Sequence, residues 1–142
     1  MKKKIRVIAL SVFVLLLIPF ICAGSAWLYT TSQLTLAKSR GIYESPEAGM
    51  LAMIKKSYGD ISQATIEYSG PNSRNGKLPH VWFVVARVKA DQRTDGKPVG
   101  NNRTRYEYPG LFYLKIREGW VFVPEGAFPV LIGRMMEVFG IT

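Results

Sequence analysis

Between Val7 and Leu28 the chain carries no charged side chain, and four bases, Lys2, Lys3, Lys4 and Arg6, precede that run. As a helix, these 22 residues extend roughly 33 Å at about 1.5 Å each, close to the ~30 Å hydrocarbon core of a bilayer. The run predicts a transmembrane helix over 7–29, in contact with the lipid bilayer. A cleaved signal peptide shares the basic start, but its apolar stretch spans only about 7–15 residues before a small-residue cleavage site. Ala23-Gly24-Ser25-Ala26 offers such a site, and Pro19 is placed to end a short signal helix; the length of the run favours the anchor. Trp27 and Tyr29 stand where an interfacial aromatic belt would lie. Ile21 before Cys22 argues against lipid attachment, which wants a small residue there, and leaves Cys22 as a small hydrophobe in the span.

The next charge after the run is Lys38. The positive-inside rule then places residues 1–6 in the cytoplasm as a basic tail and the C-terminal part outside the cell membrane. No cysteine follows Cys22, so the outer part must be stable without an internal disulfide. Residues 30–43 (TTSQLTLAKSRGIY) are polar with scattered apolar positions and read as a stalk. Residues 44–142 suffice for one small core, an extracytoplasmic domain.

Within that domain, Ser45-Pro46-Glu47 opens a helix: an N-cap, a proline at the first helical position and an acid in the first turn. Met50, Leu51, Ile54 and Tyr58 form its apolar stripe, and Gly59 suits the position just past its end. From Ile61 the period becomes two, with Ala64, Ile66 and Tyr68 on one strand face. Residues 69–79 are turn-forming, reversing at Asn75-Gly76. His80 to Ala90 is a strand apolar on both faces at first, with Arg87 and Lys89 emerging on one side. After a polar loop over 91–102, a third strand runs from about Thr104 to Arg117 with a kink at Pro109-Gly110. A turn at Glu118-Gly119 leads to a fourth strand, Trp120 to Val123. A last helix begins near Pro129 and ends at Gly140, with Leu131, Met135, Val138 and Phe139 as its stripe. Gly133 inside that helix costs about 1 kcal/mol against alanine, so it should mark a close approach, to Trp82 or Trp120.

The expected fold class is α+β: an N-terminal transmembrane helix, then a four-stranded antiparallel sheet packed with two helices in a single helical layer. This element order resembles the cystatin-like and nuclear-transport-factor-like domains, in which a curved sheet wraps a helix; the resemblance implies architecture only. The basic start, single span, Ser-Pro-Glu helix opening, Gly-Trp-Val strand and proline-led last helix together resemble the small membrane-anchored proteins of Gram-positive bacteria. That resemblance implies a location and carries no mechanism.

Catalytic chemistry finds little support. His80 is the one histidine, and no thiol lies outside the apolar run, which leaves no nucleophile–base or His/Cys metal set in the outer part. Asp91 and Asp95-Gly96 lack the alternating ligands and closing glutamate of a calcium loop. No cofactor is expected. Asn102-Arg103-Thr104 matches a glycosylation acceptor, relevant only in a eukaryotic secretory pathway.

Charge says more. Of 19 basic residues four precede the run, and the rest exceed the 10 acidic residues by five. Six of them, Arg87, Lys89, Arg93, Lys97, Arg103 and Arg105, fall in one hairpin with only Asp91 and Asp95 as acids. Tyr106 and Tyr108 stand beside them. Such a patch attracts polyanions. The expected location excludes nucleic acid and leaves lipid headgroups, cell-wall polymers or a protein partner. The favoured expectation is a non-catalytic binding domain; the alternative is a small hydrolase or isomerase with a pocket between sheet and first helix, using His80 or a carboxylate. A core filled by Met50, Ile54, Trp82, Phe112 and Leu131 would speak for the first.

Overall fold

The computed structural model describes residues 2–59, 63–71, 78–90, 92–99, 105–124 and 127–141, with side chains from Ser11 onward. The Asn75-Gly76 reversal, Asp91, and the Asn102-Arg103-Thr104 acceptor lie outside the described residues. The described elements are α1 (Lys2–Arg40), β1 (Ile42–Tyr43), α2 (Pro46–Tyr58), β2 (Ala64–Pro71), β3 (Val81–Lys89), β4 (Tyr106–Glu107), β5 (Gly110–Ile116), β6 (Gly119–Val123) and α3 (Pro129–Phe139). The protein is α+β with an apolar N-terminal helix, as its residue pattern implies.

Helix α1 does not stop at the end of the apolar run. It continues through Pro19 to Arg40, so most of the expected 30–43 stalk is helix and its last two residues form β1. The polar composition of 30–39 disguised this. Thr30, Thr31 and Thr35 donate their hydroxyls to the helix's own carbonyls, of Ala26, Trp27 and Thr31 respectively, each at 2.9 Å. What remains is a stripe of Thr30, Leu34 and Ala37, all buried, at helical spacing.

All described strands join one antiparallel sheet of six, in the order β1-β6-β5-β3-β2, with β4 paired to the end of β3. The two strands beyond the expected four are two-residue pieces. One lies in the supposed stalk; the other is the start of the expected 104–117 strand, cut off by Pro109. Proline has no N–H for the ladder, but its carbonyl accepts from the Ala86 N–H at 3.1 Å.

Helices cover both faces of the sheet, not one. On the first face α2 sets Met50 and Ile54 onto Val84, Ala86, Val88 and Tyr113. On the second face α3 and the end of α1 set Ile132, Met136, Leu34 and Ala37 onto Val81, Leu114, Val121 and Val123. Alternation along each strand assigns these sets: Tyr113 opposes Trp82, and the next pair, Leu114 and Val81, points the other way. Helix α2 begins and ends as its residues dictate. The Ser45 hydroxyl accepts from the Ala48 N–H at 3.1 Å, and Gly59, at φ 81°, closes the helix by donating to the Lys55 carbonyl.

Two facing expectations are overturned. A bulge between Ile66 and Tyr68 lets Tyr68 oppose Val85, so Ala64 and Ile66 remain on the α2 face while Tyr68 turns to the other side. Helix α3 buries Pro129, Ile132, Gly133 and Met136, whereas Leu131 and Val138 are exposed. Either stripe of α3 is apolar enough to be buried. Gly133 decides between them: a Cβ there would overlap Val81 Cγ2, so only a bare backbone permits this approach. The partners are thus Val81 and His80, not Trp82 or Trp120. Of the expected core, Met50 and Ile54 are buried, Trp82 and Phe112 are partly so, and Leu131 lies outside.

Candidate functional site

Sheet register divides the basic residues between two sides. Arg87 and Lys89 alternate with the buried Ala86 and Val88, so they project from the face opposite α2. Lys89 opposes Tyr106, and the Arg87 guanidinium lies 5.7 Å from the centre of the Tyr106 ring. Glu107 opposes Val88 and so projects to the α2 side. There its carboxylate lies 3.4 Å from Arg93 Nη1, and Arg93 also covers the Tyr58 ring at 5.6 Å. Burial, then the Glu107 carboxylate, pushes the Tyr58 hydroxyl up to about 12.

Among the described residues, Arg87 pairs with Glu67 at 3.0 Å, Arg93 with Glu107, and Lys97 with Asp95 at 3.5 Å. Asp95 also accepts from the Lys97 backbone N–H at 3.1 Å, which lowers its pKa. Glu67 and Glu107 lie outside the 87–105 window, so a charge count over that window overstates the local field. Only the strand register reveals them. Arg105 adopts φ 50° and its carbonyl accepts from Ala90; Arg103 lies outside the described residues. Among the described residues, Lys89 has no acid within ion-pair distance.

The loop after β3 is fastened to α2. The Thr94 N–H donates to the Ser57 carbonyl at 2.8 Å, and its hydroxyl reaches the Lys56 and Ser57 carbonyls at 3.1 and 3.0 Å. These bonds satisfy acceptors that a helix C-terminus leaves open. An open depression of about 270 Å³ lies at this junction, lined by Met53, Lys56, Ser57, Arg93, Thr94 and Asp95. It contains no histidine or cysteine.

His80 is occupied elsewhere. It is 7% exposed, with Nε2 donating to the Gly133 carbonyl at 2.8 Å and Nδ1 lying 3.9 Å from Glu137. It braces α3 against the start of β3. Between α2 and the sheet, where a pocket would serve a hydrolase, Met50, Ile54 and Tyr113 fill the space. Tyr113 is fully buried with its hydroxyl unpaired, and burial raises its pKa. Nearby, Trp82 Nε1 donates to Ser69 Oγ at 2.7 Å, and that hydroxyl donates to Glu47, which holds the Glu47 carboxyl below its usual value. The group ties α2 to β2 and β3. No cluster of metal-ligating acids, histidines and cysteines occurs among the described residues.

The remaining feature is α1. Among the described residues it is the one helix long and apolar enough to cross a membrane, a property shared by anchors and signal sequences. Leu15, Leu16, Phe20 and Ile21 are all more than 60% exposed, with nothing in the domain covering them. Comparison with known proteins gave no matching family model, no matching curated protein and no matching solved structure.

Proposed function

We propose that the chain is a single-pass membrane protein whose apolar α1 anchors a small non-catalytic domain outside the cell, with the N-terminus in the cytoplasm. The domain binds an anionic component of the cell envelope through its basic hairpin. One observation carries the reading: a single helix is bare and apolar over its first part and is part of the domain core from Thr30 to Ala37. A helix so arranged would hold the domain at a membrane surface. The filled space beneath α2 and the engaged His80 support binding over hydrolysis.

The anchor is tested by the intact mass of native protein in carbonate-washed membranes. The uncleaved chain in that fraction is the expected result; a trimmed form shed near Ser25 into the medium overturns it. The binding role is tested by salt-sensitive retention on anionic envelope material. Neutralising Arg93, Lys97 and Arg103 together should abolish retention without unfolding the domain, and equal retention by that variant removes the hairpin from the reading.

A further inference from the structure

The direction of the strands fixes which end of the domain faces the membrane. Strand β6 runs against α1. The Glu118 side chain before it meets Lys38 at 3.0 Å, far along α1, while the Ala127 carbonyl after it accepts from the Tyr29 hydroxyl at 3.0 Å. Tyr29 directly follows the uncharged run. Strand β3 is parallel to β6, because each pairs antiparallel with β5 between them. The end of β3 therefore leaves the sheet at the same edge as Ala127. Tyr108 and Gly110 enter β5 at that edge, and Tyr106 pairs with Lys89 there.

This edge has an unusual surface. Phe128 is 64% exposed and Tyr108 59%, and Tyr106, Lys89 and Arg87 are exposed beside them. Phe128 also has φ 50°, a left-handed conformation that bulky residues seldom adopt, so the fold tolerates strain while leaving this ring in the open. Exposed aromatics and cations at one end of a domain match a membrane interface: rings settle among headgroups, and lysine and arginine attract anionic lipid.

We infer that the sheet edge bearing Lys89, Tyr106, Tyr108 and Phe128 rests on the anionic headgroups of the same bilayer that α1 spans. The inference rests on the anchor reading and names the anionic ligand: lipid, not wall polymer. Continuity with the apolar run favours lipid over a second copy of the chain, since the Tyr29–Ala127 bond holds Phe128 beside the end of that run. The Arg87–Tyr106 contact and Lys89, which among the described residues has no acid within ion-pair distance, supply the charge complementarity.

The test uses the full chain in vesicles of phosphatidylcholine with about 30% phosphatidylglycerol, carrying nitroxide lipids. A fluorophore is placed on Cys22, or, in a Cys22→Ser background, on Tyr108→Cys, Phe128→Cys or Glu118→Cys. Strong quenching of the Cys22 label by deep nitroxides reports the anchor. Quenching at 108 and 128 by headgroup nitroxides should then exceed that at 118 by about threefold or more. Lys89→Glu combined with Arg87→Gln should roughly halve the signal at 108 in the anionic vesicles and leave pure phosphatidylcholine vesicles unchanged. If the Cys22 label is quenched while 108 and 128 behave like 118, the inference falls and the anchor stands. If the Cys22 label is unquenched, the anchor itself falls. Quenching at 108 and 128 that is weak at high chain density and rises on dilution to about one chain per vesicle overturns the lipid assignment in favour of a second copy.

Discussion

On one side of the sheet, α2 meets aromatic rings and a short polar chain of Glu47, Ser69 and Trp82; on the other, α3 and the end of α1 meet an almost wholly aliphatic surface. Each side has one helical glycine pressed onto the strands. Gly49 faces the edge of the Tyr113 ring, and Gly133 faces Val81 and His80. The first closure is made by α2, a helix belonging to the domain alone. The second borrows its outermost stripe from the helix that carries the apolar run. The difference teaches that the apolar helix and the domain are one folding unit on one side only.

The largest effect should come from breaking that loan. Leu34→Asp places an unpaired carboxylate among Ile132, Met136 and Val121, which should destabilise the domain by about 3–5 kcal/mol. Denaturant unfolding of the full chain in detergent measures it; a wild-type midpoint would show that α1 does not contribute to the core. Ile54→Ala on the α2 side should cost about 2–5 kcal/mol by cavity formation, with α1 still docked, as judged by protection of the Thr30–Ala37 amides from exchange. Loss of that protection would show that the two sides are not separable.

Gly133→Ala should cost about 1–3 kcal/mol and more than Gly49→Ala. Val81 Cγ2 sits one bond from its Cβ on a β-branched side chain that is stiff at χ1, whereas the Tyr113 ring edge can swing by a few degrees. The reverse ranking in thermal unfolding would contradict the idea that α3 is the more tightly seated helix. The smallest effect is Ser69→Ala, about 1 kcal/mol at neutral pH from two lost hydrogen bonds. Its pH dependence is diagnostic. The folded Glu47 carboxyl is held below its unfolded value, so its stabilisation is present above the unfolded pKa and is lost as pH falls through the lower folded one. Removing Ser69 should flatten that acid limb; an unchanged limb would detach Glu47 from the network.

Where local chemistry decides the outcome, the chain is readable. Ser45, Pro46 and Gly59 delimit α2, Gly119 marks its turn, and Gly140 ends α3 at φ 63°. Where neighbours distant in sequence decide, it is not. The burial of Leu34 and Ala37 depends on strands 80 residues away, and the hydroxyls of Thr30 and Thr35 give no outward sign that they are spent on α1 itself. The facing of α3 was beyond periodicity, because both of its stripes are apolar and a contact with Val81 selects one. The basic hairpin shows the same limit: its six cations are plain in the residue order, but Glu67 and Glu107 join them only through strand pairing and a bulge.

Because α1 runs from Lys2 to Arg40 as one uninterrupted rod and is gripped by the sheet along its final turns, there is no swivel between the apolar run and the domain. A tethered head on a floppy cord would sweep a wide volume. This domain keeps a fixed bearing on its helix, and any tilt or roll of the rod is delivered to it as torque. Under the proposed anchoring, changes in bilayer thickness or lateral pressure would thus have a mechanical route into the domain.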